Sequence, residues 1–342
     1  MVKRVWIYRS IKYKLMKYKI RKKILLFAFC LLFISYELIS SPVIASNSQV
    51  IRPKIGLALG GGGARGAAQI GVLRVLEKEN IPIDYLVGTS AGAFVAALYS
   101  GGVSVDDIEK YVLSGAIKKV YKTDFSFCRA IFIYLNNTFR AFFRKPFYAG
   151  LYNDHRLHHF VDNAISMSDG TIELSIPLNI IAVDLISGLP VVIKSGDVGL
   201  AVQASTAIPT IRQPIPINDQ LLIDGGVLKN IPVEEVKKMG ADIVIAVDVD
   251  AKLETSTPES FRSFEGIITR VITLGLKAQS KSILDSADII ISPNLTGVKI
   301  LDLDPKSLSK AIKLGEEAAT KMAPNIKKII QEKEHILRVA EN

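Results

Sequence analysis

A serine held between glycines, Gly88-Thr89-Ser90-Ala91-Gly92, is the stretch of this chain best equipped for covalent chemistry. In Gly-x-Ser-x-Gly the serine occupies a sharp strand-to-helix turn, and the residues two before and two after it pass too close to carry side chains. The apolar run Tyr85-Leu86-Val87 and the helical stretch 91–100 supply that strand and that helix. The turn lifts the hydroxyl above a sheet edge, and the helix start aims backbone N–H groups and a positive dipole end at it. Upstream, behind Ile55-Gly56-Leu57-Ala58-Leu59, runs Gly60-Gly61-Gly62-Gly63-Ala64-Arg65-Gly66. A serine attacking an ester carbonyl creates an oxyanion that needs preorganised donors. Consecutive glycines can turn several backbone N–H groups toward one point, because positive φ costs them little. Gly62 and Gly63, with Ala64, are the expected donors, and Arg65 is expected to support the turn rather than meet a phosphate.

Serine at its free pKa is a poor nucleophile and needs a base. In the α/β-hydrolase pattern the acid follows the serine and a histidine follows the acid. Only His335 comes late enough, inside the charged run Gln331-Glu332-Lys333-Glu334, so a histidine triad is the weaker reading. The shortage leaves a carboxylate. Asp224 ends the short run 220–223 and enters Gly225-Gly226, which lets its side chain reach a loop-lined site. Asp84, Asp184 and Asp248 compete from other strand ends but lack the Asp-Gly-Gly context.

Two other chemistries compete for these residues. Gly61-x-Gly63-x-x-Gly66 fits a dinucleotide or phosphate fingerprint, which would make the chain a binding module. That fingerprint wants an acid at the end of the next strand, whereas Asp84 stands near the start of that run, which itself ends in the serine turn. His155 and His159 could share a helix face as metal ligands. No glutamate accompanies them in a metalloprotease pattern, so a solvated helix face is expected and no metal is assigned.

Three motifs in order, Gly61-Gly62-Gly63-Ala64-Arg65-Gly66, Gly88-Thr89-Ser90-Ala91-Gly92 and Asp224-Gly225-Gly226, make the chain resemble a bacterial patatin-like phospholipase over residues 54–328. That resemblance implies a three-layer α/β/α fold with a central, mainly parallel sheet. It also implies a Ser–Asp dyad without histidine, no cofactor, and hydrolysis of acyl esters in phospholipids or lysophospholipids.

The elements that must position these residues can be traced along the chain. Strand-like apolar runs at 55–59, 83–87, 178–184, 241–249 and 288–291 alternate with helical stretches at 67–79, 153–165, 233–239 and 261–285, an α/β layered pattern. Ser104 with Asp107 reads as a helix cap, Ser187-Gly188 as a hairpin turn, and Pro324 as an interruption of the terminal helices.

The formal charge is +10, yet it does not point to nucleic acid. Ten of the 43 lysines and arginines lie within the first 23 residues with no acid among them, and the 33 that remain match 33 acidic residues. Residues 1–45 read as an export leader: a basic start, the apolar run 24–34, and Val43-Ile44-Ala45 as a cleavage site. The alternative is an inner-membrane anchor at 24–34, although that run is shorter than the roughly 20 residues a span needs. Residues 46–53 form a polar connector and 329–342 a charged tail. With Cys30 leaving in the leader, Cys128 has no partner for a disulfide. Segment 124–152 concentrates seven phenylalanines among Arg129, Arg140, Arg144 and Lys145. It reads either as a lid touching a membrane surface or as a hairpin packed on the sheet.

Overall fold

The computed structural model describes residues 16–18, 21, 52–120, 155–166, 174–209, 211–250 and 255–341. Contacts divide the chain into Met1–Ile51 and Arg52–Asn342, and the second unit carries the features that follow. The apolar run 24–34, the position at Ala45, both cysteines and segment 124–152 lie outside the described residues. No described helix is long and apolar enough to cross a membrane.

The first half of the unit contains β1 (Ile55–Leu59), α1 (Ala68–Lys78), β2 (Tyr85–Thr89), α2 (Ala91–Ser100), α3 (Val105–Leu113), α4 (Ala116–Val120) and α5 (Arg156–Ser166). There follow β3 (Leu178–Asp184), β4 (Leu189–Ile193), α6 (Val198–Ser205), β5 (Ile215–Ile217), β6 (Gln220–Asp224) and α7 (Val233–Lys238). The last elements are β7 (Ile243–Val247), α8 (Phe264–Leu284), β8 (Ile289–Ile291) and α9 (Pro305–Glu341). The strands form one sheet in the order β5-β6-β3-β2-β1-β7-β8, with β4 added on β3. The pairs β3-β2, β2-β1, β1-β7 and β7-β8 are parallel; β4, β5 and β6 pair antiparallel.

The central strands read as continuous apolar runs because both of their faces are covered. Leu57, Leu59, Leu86 and Ile245 pack with Ile70 and Leu73 of α1 and Leu98 of α2. The alternate residues Ala58, Val87, Val244 and Ala246 point the other way, onto Val233 and Val236 of α7. The result is the expected three-layer α/β/α arrangement.

The cap and hairpin expectations hold: Ser104 Oγ accepts from the Asp107 amide at 3.1 Å, and Gly188 turns between β3 and β4 with φ 70°. The expected break at Pro324 does not occur. The helix runs from Pro305 to Glu341 with Pro324 inside it. Ala311, Ile312, Ala319, Ala323 and Ile326 are all buried on its inner face, and that continuous packing carries the helix past one missing N–H.

One feature of β3 decides where the site forms. Strand β4 pairs with Ile180 through Asp184 and so occupies one edge of β3. The other edge is divided: β2 lies along Leu178–Ile181, and β6 runs the opposite way along Ala182–Asp184. The two strands therefore point at each other. Thr89 at the end of β2 pairs with Ile181, and Asp224 at the end of β6 pairs with Ala182, the next residue.

Candidate active site

Ser90 follows β2 directly and is the residue before α2, with φ 53° and ψ −120°. That positive φ is costly for a residue with a Cβ, of order 1–3 kcal/mol, and persists only where the surroundings enforce it. Here the enforcement is crowding. A Cβ at position 92 would stand 2.2 Å from the Leu59 carbonyl oxygen, and one at position 88 would stand 2.6 Å from the Ala93 Cα. Both flanking glycines of the motif are thus required by contact with neighbouring backbone. The Ser90 amide donates to Ser205 Oγ at 2.8 Å, and that hydroxyl donates to the Ile181 carbonyl at 2.5 Å.

Ser90 Oγ donates to Asp224 Oδ2 at 2.7 Å. The second carboxylate oxygen accepts from the Gly226 amide at 2.8 Å, so the turn after β6 holds the base by its own backbone. Gly225 packs on the Ile181 carbonyl, where a Cβ would come within 2.4 Å. Both dyad residues are buried. Burial pushes the Asp224 carboxyl up to about 6, against the opposing pull of its bonds from Ser90 and Gly226. A carboxyl raised in this way is a better proton acceptor at neutral pH than an ordinary aspartate.

The glycine turn lies against this pair. A Cβ at position 61 would fall 3.0 Å from the Ser90 Cβ, and one at position 66 would fall 2.5 Å from the Ala91 Cβ. Gly63 adopts φ 57°, and a side chain there would run into the Ile300 carbonyl. Among the expected oxyanion donors Ala64 needs correction. Its amide donates to the Ile300 carbonyl at 2.7 Å and is not directed at Ser90. The Gly62 and Gly63 amides have no carbonyl partner among the described residues. Arg65 supports the turn as expected, donating from Nε to the Val298 carbonyl at 2.8 Å. Burial holds its guanidinium below the usual arginine range, with the Asp250 charge partly opposing.

The competing carboxylates are engaged elsewhere. Asp184 accepts from Ser187, Ile186 and Leu221; its bond from the Ser187 hydroxyl, with those from the backbone, holds it down at about 2. Asp84 meets Arg52 at 2.6 Å and Lys54 at 3.1 Å. Burial would raise its carboxyl, but the bonds from Arg52, the Ile55 amide and Lys54 hold it at about 2. It precedes β2, at the opposite end of the strand from the glycine turn, so it does not serve as the ribose acid of a dinucleotide fold. Asp248 follows β7 and accepts from the Asp250 amide. No histidine takes an Asp224 oxygen: His155 stands just before α5, His158 and His159 sit on it, and His335 sits on α9. His155 and His159 are exposed. It is His158 that meets carboxylates, Asp162 at 2.9 Å and Asp197 at 2.7 Å.

Three positioning residues escaped sequence reasoning. Ser205 fixes the Ser90 amide. Gln69 donates to the Gly60 carbonyl at 2.6 Å. Asn230 Oδ1 accepts from the Gly61 amide at 3.0 Å and thereby ties the glycine turn to the loop after Asp224. The available signal was a fully buried polar residue inside an apolar or small-residue stretch. Asn230→Ala leaves the buried Gly61 amide without an acceptor, an expected cost of about 1–3 kcal/mol in urea denaturation. Loosening of the turn is expected to lower the kcat for a soluble ester by about tenfold; an unchanged kcat would remove Asn230 from the site.

A buried serine on a strained strand-to-helix turn is thus bonded to a carboxyl raised by burial and faced by a glycine turn. The patatin-like phospholipase family profile matches residues 57–237, just over half of the chain, and the chain belongs to that family. It is similar to lysophospholipase NTE1 of Phaeosphaeria nodorum, 32% identical over 227 residues that take in 60% of this chain and 13% of the relative. It is also similar to lysophospholipase NTE1 of Meyerozyma guilliermondii, 31% identical over 215 residues, with the same coverage of 60% and 13%. The chain thus spans about an eighth of the length of these curated relatives, which are fungal and do not carry the bacterial part of the resemblance. Among solved structures it is similar to VipD from Legionella pneumophila, 16% identical over 80% of this chain and 67% of that one, with a TM-score of 0.48.

Proposed function

We propose that the chain is a serine acyl hydrolase that cleaves fatty-acyl esters of phospholipids or lysophospholipids through Ser90 and Asp224. The 2.7 Å hydrogen bond from Ser90 Oγ to Asp224 Oδ2 carries this reading. Asp224 takes the Ser90 proton as Oγ attacks the ester carbonyl. The Gly62 and Gly63 amides stabilise the oxyanion. When the tetrahedral intermediate collapses, the alcohol leaves with the proton from Asp224. Water, deprotonated by Asp224, attacks the acyl-enzyme and releases the fatty acid, returning Ser90 to its hydroxyl form. Each step needs only this dyad and the amides.

The lipid substrate class is supported by family membership and by the lysophospholipase name of the two fungal relatives. The bacterial assignment and export with cleavage near Ala45 rest on motif and leader composition, with anchoring by residues 24–34 as the alternative. Membrane contact through 124–152 belongs to the same proposal. The test is incubation of the purified protein with defined phospholipids and lysophospholipids, with mass spectrometry of the products. Fatty acid release, together with fluorophosphonate labelling mapped to Ser90, is the expected result. A labelled serine other than Ser90, or no acyl release from any ester, would overturn the reading.

A further inference from the structure

Helix α8 has apolar residues on both its inner and its outer side. Its inner side is held by Leu276, which is buried, and by Gln279. On the outer side Ile267, Val271 and Leu274 are 48%, 62% and 45% exposed. Their spacing of four and three residues places them along one side of the helix. The exposed residues next along the same side are Gly275 and Ala278, also without a charge. A continuous exposed apolar stripe of this kind marks a surface that meets something greasy.

The helix is joined to the active site through its inner side. Gln279 Nε2 donates to the carbonyls of Val227 at 2.8 Å and Gly226 at 3.2 Å, and to Gly275 of its own helix at 3.3 Å. Val227 and Leu228, both exposed, add apolar surface on the turn whose Gly226 amide holds Asp224. Over its full length, Phe264–Leu284, the helix carries three cations, Arg270, Lys277 and Lys281, against one acid, Glu265. An exposed apolar stripe on a helix with an excess of cations suits the boundary of an anionic bilayer.

We propose that α8, with Val227 and Leu228, is the surface through which the enzyme docks on anionic lipid, bringing the Asp224 turn to the acyl boundary. This rests on the acyl-hydrolase reading for its purpose but is measured without turnover. It also differs from segment 124–152, since it involves only described residues. A second copy of the chain is the competing occupant.

The experiment uses full-length protein and vesicles of phosphatidylcholine mixed with phosphatidylglycerol. Val271→Trp reports locally, with the native Trp6 background taken from the unmutated protein. The expected result is a blue-shifted emission quenched by brominated acyl chains. Absence of both changes overturns the proposal, as does a blue shift that appears without lipid and grows with protein concentration, which would assign the stripe to self-association. In parallel, Ile267→Glu, Val271→Glu and Leu274→Glu combined are expected to lower hydrolysis of vesicle lipid by about tenfold or more, while a short-chain soluble ester is turned over within about twofold of the unmutated rate. Equal loss on both substrates, with an unchanged circular dichroism spectrum, counts against docking. An unmutated protein inactive on every ester would fail the acyl-hydrolase reading, while tryptophan quenching would still decide the docking one.

Discussion

Ser90→Ala is expected to lower ester turnover by about 10⁴-fold or more, the loss typical when a nucleophile acting as part of a unit is deleted. The far-ultraviolet circular dichroism should stay that of the unmutated protein, because the elbow is shaped by the crowding at positions 88 and 92 rather than by the hydroxyl. The variant has a second signature. The Ser90 hydrogen bond opposes the effect of burial on Asp224. Removing it lets burial act with less opposition, so the carboxyl in Ser90→Ala titrates at higher pH than in the native protein. Carbon-detected NMR of the labelled side chain measures this. Turnover within tenfold of native would take the nucleophile away from Ser90.

Asp224→Asn is expected to cost about 10³–10⁴-fold in kcat, while making the protein more stable at pH 8. Burial raises the folded-state carboxyl from its reference of 3.8 to about 6. A raised acid contributes stability below its unfolded value and loses it as pH climbs through the folded one. Above about pH 6 the native protein therefore carries an ionised, buried carboxylate at a cost of about 3 kcal/mol, two units at 1.36 kcal/mol each. The amide carries no such charge. Urea midpoints of the variant should exceed those of the native protein at pH 8 and converge with them toward pH 4. The same ionisation predicts that native kcat/KM rises with pH through about 6 and then levels, since only the ionised carboxylate accepts the serine proton. A flat profile, or a variant that keeps its activity, would place the base elsewhere.

How far the sequence disclosed this site depends on the kind of constraint. Gly88 and Gly92 were legible because the elbow forbids side chains there whatever surrounds it. The central strands were legible because sheets covered on both faces leave uninterrupted apolar runs. Asp224 was reachable through scarce histidines, an Asp-Gly-Gly turn and the dyad that the family resemblance implies. Ala64 was misjudged because the partner of its amide, the Ile300 carbonyl, is far along the chain and invisible to local pattern. Ser205 and Asn230 were missed for the same reason: their hydrogen bonds span 115 and 169 residues. Pro324 misled in the other direction, because a local breaker lost to a long buried face.

The divided edge of β3 has a consequence for how this chain can vary. Ser90 and Asp224 are 134 residues apart in the chain, yet their separation is set by Ile181 and Ala182, consecutive residues of one strand. Insertions or deletions in the connections between β3 and β6 would change only a loop-closure entropy that grows slowly with length. The dyad distance would not change. A slip of β6 by a single position on β3 would instead turn Asp224 to the opposite face of the sheet. Length is therefore a free variable between the two catalytic elements, and pairing register is not.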